Sequence, residues 1–136
     1  MTIHIFAYGT PRPKGSAKAF VIKGTNRAVV TSDTKGLKGW ESIVRQAAQD
    51  EMKGNLLVGP VRVVTHFYLP RPKRLTGKET PPHISRPDLD KLVRGVLDPL
   101  TGVVWSDDAQ VTRLVAEKRY AGDGEQPRAV IAVELI

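Results

Sequence analysis

Five aspartates, Asp88, Asp90, Asp98, Asp107 and Asp108, fall within 21 consecutive positions of a chain that has 14 acidic residues against 21 Lys and Arg. The formal net charge is +7 and the isoelectric point is near 9.9. A surface of that sign concentrates polyanions, nucleic acid above all. Carboxylates grouped against such a background need a reason, and a hard divalent cation is the direct one. Mg²⁺ takes oxygen ligands and is held by a few carboxylates together with water and phosphate oxygens. Beside a phosphodiester it lowers the pKa of a bound water, polarises the phosphate and stabilises the leaving oxygen.

The carboxylates need elements to position them. Residues 88–100 read as a helix, with Leu89, Leu92, Val93, Val96, Leu97 and Leu100 on its apolar face and Asp90, Arg94 and Asp98 on the opposite side. Asp88 is a candidate N-cap after Pro87, so Asp88 and Asp90 share the helix start, where the dipole favours anions. Asp107 and Asp108 follow Val103-Val104-Trp105 at a bend, and one of the two is expected to face back toward that helix start. Arg94 lies one turn past Asp90, placed to contact a phosphate or to balance the carboxylates. Each residue also has a purely structural use. Asp88 can serve only as a cap, Asp107-Asp108 only as a turn, and Asp90 with Arg94 as a surface pair worth ~0.3–0.5 kcal/mol. Asp98 reads as a structural contact or part of a solvated face.

The remaining elements follow from periodicity and chain breakers. Residues 3–8 alternate as a first strand, which the Gly-Thr-Pro-Arg-Pro-Lys-Gly-Ser segment from Gly9 to Ser16 ends. Residues 20–22 and 28–31 suggest a short hairpin around Gly24-Thr25-Asn26. A helix is expected over 32–53, capped by Ser32, Asp33 or Thr34, carrying Leu37, Trp40, Ile43, Val44, Ala47 and Ala48 on one face, and stopped by Gly54. Residues 61–69 are β-branched and aromatic between two prolines, a strand. Residues 70–86 carry four prolines and five basic residues (Arg71, Lys73, Arg74, Lys78 and Arg86) against Glu79, which reads as a mobile basic loop. Residues 111–120 and 129–136 are expected to close the fold as a hairpin. The sum is a single α/β domain over 1–136, a mixed sheet with two main helices, with too few βαβ units for a doubly wound nucleotide-binding fold.

Composition narrows the class further. The chain has 136 residues, 40% of them apolar, enough for one core. No apolar run reaches the ~18–20 residues that span a bilayer. The first eight residues lack the basic leader of a signal peptide. The absence of cysteine removes disulfides, thiolate-bound zinc and thiol catalysis, and fits a reducing cytoplasm.

The segment RPDLDKLVRGVLDPLTGVVWSDDAQV, residues 86–111, resembles the signature of the RusA-type Holliday junction resolvases of bacteria, phages and prophages. The shared pattern is a DLD helix start, a basic residue four positions on, a later helix Asp, and a hydrophobic-aromatic step into DDxxV. The TPRPKGS turn, residues 10–16, is similar to the one that follows the first strand in many relatives. The resemblance implies a homodimeric α/β fold that resolves four-way DNA junctions by paired symmetric nicks in recombination and repair. It implies dependence on Mg²⁺, with Mn²⁺ able to stand in. It maps the essential carboxylates onto Asp88, Asp90 and Asp108, with Asp107 as an adjacent member. The family's helix lysine falls on Arg94, whose planar, fixed charge suits phosphate binding but not proton relay. Lys91 stands where Asn is common.

The expected reaction is in-line attack by water at phosphorus, leaving a 5′ phosphate. Lys14, Lys18, Arg71, Lys73, Arg74, Lys78, Arg86 and Lys91 are the candidate DNA contacts, Lys14 first because prolines and glycines hold its loop. For the dimer implied by the resemblance, Trp40, Trp105 or the last strand are the apolar candidates. Two other readings remain. A DxD sugar transferase needs a longer chain with a run of parallel strands. A non-catalytic branched-DNA-binding protein would use the same acids as caps and turns.

Overall fold

A computed structural model describes residues 2–15, 18–21, 24, 28–31, 35–77 and 79–136, with 18–21 and 28–31 as backbone only. Four strands form one mixed sheet: β1 (Thr2–Tyr8), β4 (Val61–Leu69), β5 (Val111–Tyr120) and β6 (Arg128–Leu135). The short strands β2 (Lys18–Val21) and β3 (Ala28–Thr31) pair only with each other, antiparallel. The helices are α1 (Leu37–Met52) and α2 (Leu89–Leu100). This is the mixed α/β arrangement that the periodicities predict.

The sheet order is β1-β6-β4-β5. β6 runs antiparallel to both neighbours, with Ile131 opposite Ile5 on one side and Thr65 on the other. β5 runs parallel to β4, with Leu69 opposite Tyr120. One face of the sheet is dry: Ile3, Ile5, Ala7, Val63, Phe67, Ile131 and Val133 point into the core beneath the helices. α1 packs against β1 and α2. Leu92, Val96 and Leu100 of α2 are fully buried, each worth about 1.5–3 kcal/mol of transfer free energy.

The strands predicted as a closing hairpin do not pair. β6 inserts between β1 and β4, and β5 takes the edge beyond β4. The reason lies in the side chains. Ala129, Ile131 and Val133 are buried and Val130 and Ala132 half-buried, so β6 is apolar on both faces and suits an interior position. β5 carries Arg113, Glu117, Lys118 and Arg119 and tolerates an edge.

The helix expected from 32 begins at Leu37. Gly36 holds φ 80 and ψ 0, a left-handed turn that no helix can include and that glycine adopts freely. The candidate caps Ser32, Asp33 and Thr34 lie outside the described residues, as do Thr25 and Asn26 of the hairpin turn. At the other end the helix stops one residue before Gly54, at Lys53 with φ 52. Trp40 and Trp105 are 2% and 0% exposed. They are core residues, and β6 is an interior strand, so none of the three expected apolar contacts is free to join a second copy.

Candidate active site and nucleic-acid face

Asp88 occupies the N-cap position of α2 in extended conformation, yet its side chain caps nothing. Its carboxylate lies 3.2 Å from Lys91 Nζ instead and remains half-exposed. Asp90 follows in the first turn, exposed and without an ion-pair partner among the described residues. Arg94 is exposed as well, and no Asp90–Arg94 pair forms. The helix start thus presents two carboxylates and two cations with little of their valence used internally.

Three segments converge here. The preceding loop is tied down by Lys118 of β5, whose Nζ donates to the carbonyl oxygens of Ser85 at 2.7 Å and Pro87 at 2.9 Å. Residues 9–15 come from the other side: the Lys14 amide donates to the Lys91 carbonyl at 2.9 Å. Gly95 permits that approach, because a Cβ there would stand 2.5 Å from the Arg12 carbonyl oxygen. The third segment, residues 70–80, is organised by Arg71. Its guanidinium donates to the carbonyls of Leu75, Glu79 and Ala121 and to the Thr80 hydroxyl.

Between these segments runs a groove of about 960 Å³, lined on its polar side by Arg12, Lys35, Arg74, Arg86 and Lys91, with Asp88 as its acid. His83 and Tyr120 also line it, their rings 4.5 Å apart. Burial, and after it the Lys118 charge, holds the His83 imidazole below the ordinary histidine range, so it adds no charge near neutrality. A trough of this kind, basic walls around aromatic rings, suits a phosphate backbone and its bases.

The predicted DNA contacts separate into groups. Lys73, Arg74, Arg86 and Lys91 are exposed. Arg71 is half-buried and engaged in its loop. Lys14 faces Asp98 at 2.6 Å and Glu41 at 3.4 Å. The hydrogen bond to Asp98 is the largest cause that raises its pKa. Asp98 therefore has the structural role read from its position, and Lys14 is partly neutralised. The side chain of Lys18 and all of Lys78 lie outside the described residues. Arg12, Lys35, His83, Tyr120 and Gly95 were not singled out from sequence. A glycine inside the α2 pattern was the one available signal, since an interior helix glycine marks a close approach.

Asp107 and Asp108 separate in role. Asp107 caps a single 3-10 turn (Asp108–Gln110), accepting from the Ala109 amide at 2.9 Å. Gln110 answers by accepting from the Ser106 and Asp107 amides and donating to the Leu57 and Gly59 carbonyls. The Asp108 carboxylate is exposed and has no partner among the described residues.

Neither aspartate faces the start of α2. Asp108 precedes β5, whereas Asp88 follows Pro87, which Lys118 reaches from the far end of β5. Seven residue steps of strand separate Val111 from Lys118, roughly 23 Å. α2 itself spans about 18 Å between the same two levels. Among the described residues no three His, Asp or Glu side chains gather closely enough to hold an ion. Asp88 and Asp90 fit half of a divalent-cation site, and Asp108 of the same chain does not complete it.

The chain is 27% identical over 144 residues to the uncharacterized protein YqaN of Bacillus subtilis (strain 168), covering 96% of this chain and 94% of that one. Residues 9–134 match the family described as Endodeoxyribonuclease RusA, a span that runs from the loop docked on α2 into the last strand. The chain belongs to the RusA endodeoxyribonuclease family.

Proposed function

We propose that this protein is a Mg²⁺-dependent, structure-selective endodeoxyribonuclease that resolves four-way DNA junctions by paired nicks. The observation that carries this reading is the Asp88 carboxylate, which stands at a helix N-cap without capping, at the rim of a basic groove and beside Asp90, which has no ion-pair partner among the described residues. An exposed Asp90 and an Asp88 held only by the Lys91 ammonium are available to a cation that meets DNA.

Asp88 and Asp90 would hold the ion; Asp108, remote from them in the same chain, would join them only from a second copy in the homodimer that the family resemblance implies. When bound, the ion supplies an activated water and a polarised phosphate. The chain's own groups do the rest. Arg12, Arg74 and Arg86 hold backbone phosphates on either wall, and the bidentate fork of each favours that geometry. Arg94, one turn beyond Asp90, neutralises the scissile phosphate without giving up a proton. Lys91 offsets the Asp88 charge. Contacts of this sort read shape more than sequence.

Incubation with a synthetic four-way junction, in Mg²⁺ and in EDTA, tests the reading. Metal-dependent nicks at symmetric positions support it. A shifted but uncut junction in both conditions would instead establish a non-catalytic branched-DNA-binding protein.

A further inference from the structure

Burial divides the lining of the basic groove into two layers. The cations Arg12, Lys35, Arg74, Arg86 and Lys91 are all exposed and form its rim. Deeper lie Pro11, Leu69 and His83, which are buried, and Tyr120, which is half-buried. Leu69 and Tyr120 are paired neighbours at the ends of β4 and β5, so the sheet itself sets this floor. The His83 ring braces Tyr120 at 4.5 Å, tilted by 46°.

Duplex DNA matches only the rim. It turns phosphates outward and keeps its bases stacked inside, so a duplex laid across those cations leaves the apolar, aromatic floor without an occupant. An unpaired nucleotide matches both layers. Its phosphates meet the rim, and the flat face of its base meets the floor. The groove, about 960 Å³, falls within the ~300–1,000 Å³ of sites that enclose one small ligand.

His83 adds a polar requirement. It is 8% exposed, and its Nδ1 is buried with no hydrogen-bond partner among the described residues. A neutral imidazole has one donor and one acceptor nitrogen, and a buried one left unmatched is costly. A base edge carries donors and acceptors side by side, whereas a hydrocarbon ligand carries neither. Unstacking a base costs least where pairing is already interrupted, as at a branch point. We infer that the groove seats one unpaired base of the DNA branch point, stacked on Tyr120 beside His83, with its flanking phosphates on the rim. Asp88 lines the same groove, so the seated base sets which phosphate reaches the carboxylates. DNA as the occupant follows from the nuclease reading above; the stacking itself needs no metal and no cleavage.

Crosslinking in EDTA tests the seat without cleavage. A four-way junction carries 5-iodouracil at one position per preparation, either at the branch point or within an arm, and its complex with the protein is irradiated. The branch-point label should crosslink to Tyr120 or His83, identified by mass spectrometry of the digested adduct, and the arm labels should not. A bound junction whose branch-point labels attach only to other residues, or not at all, overturns the seat. Gel-shift titration gives a second measurement. Tyr120→Leu keeps an apolar side chain and removes the ring. It should weaken junction binding ~5- to 150-fold, the loss of one base–aromatic stack, and change binding to a continuous duplex of equal length by less than about twofold. Tyr120→Phe, which keeps the ring, should bind both as the wild type does. Equal weakening for junction and duplex, or no weakening of either, overturns the seat, as does a wild type that binds no junction. If Tyr120→Leu does not fold, the crosslink on the wild type decides. A wild type that crosslinks through Tyr120 but makes no nick in Mg²⁺ would instead overturn the nuclease reading and leave the seat in place.

Discussion

Lys118 and Pro87 are joined by a charge-assisted hydrogen bond of 2.9 Å that fixes the residue immediately before Asp88 to the end of β5. The same ammonium holds Ser85. The start of α2 is therefore positioned by a strand rather than by its own cap. Lys118→Met keeps the stem and removes both bonds. It should lower unfolding stability by ~1–3 kcal/mol in urea titration and reduce junction nicking well beyond the fraction unfolded.

Gly95→Ala reverses a familiar sign. An interior helix glycine replaced by alanine ordinarily gains ~0.5–1 kcal/mol. Here the added methyl would meet the Arg12 carbonyl oxygen at 2.5 Å. We expect a net loss of about 1–3 kcal/mol by chemical denaturation, as at other overpacked positions. DNA affinity should fall with it, because residues 9–15 carry one wall of the groove.

The two adjacent aspartates should behave differently. Asp107→Ala removes the cap of the 3-10 turn and should cost ~0.5–2 kcal/mol in thermal or urea unfolding. Asp108→Asn breaks no side-chain bond among the described residues and should leave stability unchanged while abolishing nicks. Asp90→Asn should likewise leave junction binding intact in a gel-shift assay and eliminate cleavage.

Salt dependence should rank the cations. Arg74→Ala or Arg86→Ala removes an exposed charge at the groove, and the slope of log K against log salt should fall by ~0.9 for each DNA phosphate that the variant no longer neutralises. Lys14→Met should change that slope less, because Asp98 and Glu41 already face its ammonium.

Lys14 also gives a pH signature. Asp98 raises its pKa above the ordinary lysine value. A raised folded-state pKa contributes stability that is fully present below the unfolded value and is lost as pH rises through the folded one. The wild type should therefore lose stability relative to Lys14→Met only in strongly alkaline solution, above the ordinary lysine range. With the pair partly exposed, the difference at neutral pH should be about 1 kcal/mol or less. Urea midpoints of both proteins from neutral to alkaline pH check this.

Much of the fold was legible in the sequence because its strong elements are locally encoded. β1 and β4 alternate or run β-branched between breakers, and α2 carries a clean apolar stripe. The order of strands was not legible, since period-2 patterning fixes which face is buried and not which neighbour is paired. β6 could only be recognised as interior from its having two apolar faces. The helix start at Gly36 was hidden because left-handed geometry leaves no periodic mark. In the site, the residue types at 88, 90 and 108 were visible, and the separation of Asp108 from the other two was not. That separation follows from the parallel register of β4 and β5, a long-range property. Arg12 and Lys35 reach the groove by loop packing that no local pattern records.

β6 is the last strand in sequence and the second in the sheet. Until it is made, β1 has no partner and β4 has only parallel β5, so the growing chain holds two halves of a sheet that cannot join. Closure of the sheet must wait until β6 has left the ribosome. A chain clipped near residue 128 would lose both the β1–β6 and the β6–β4 pairing. For a chain of net charge +7, the position of that one strand makes emergence of residues 128–135 the condition for joining the two halves of its sheet.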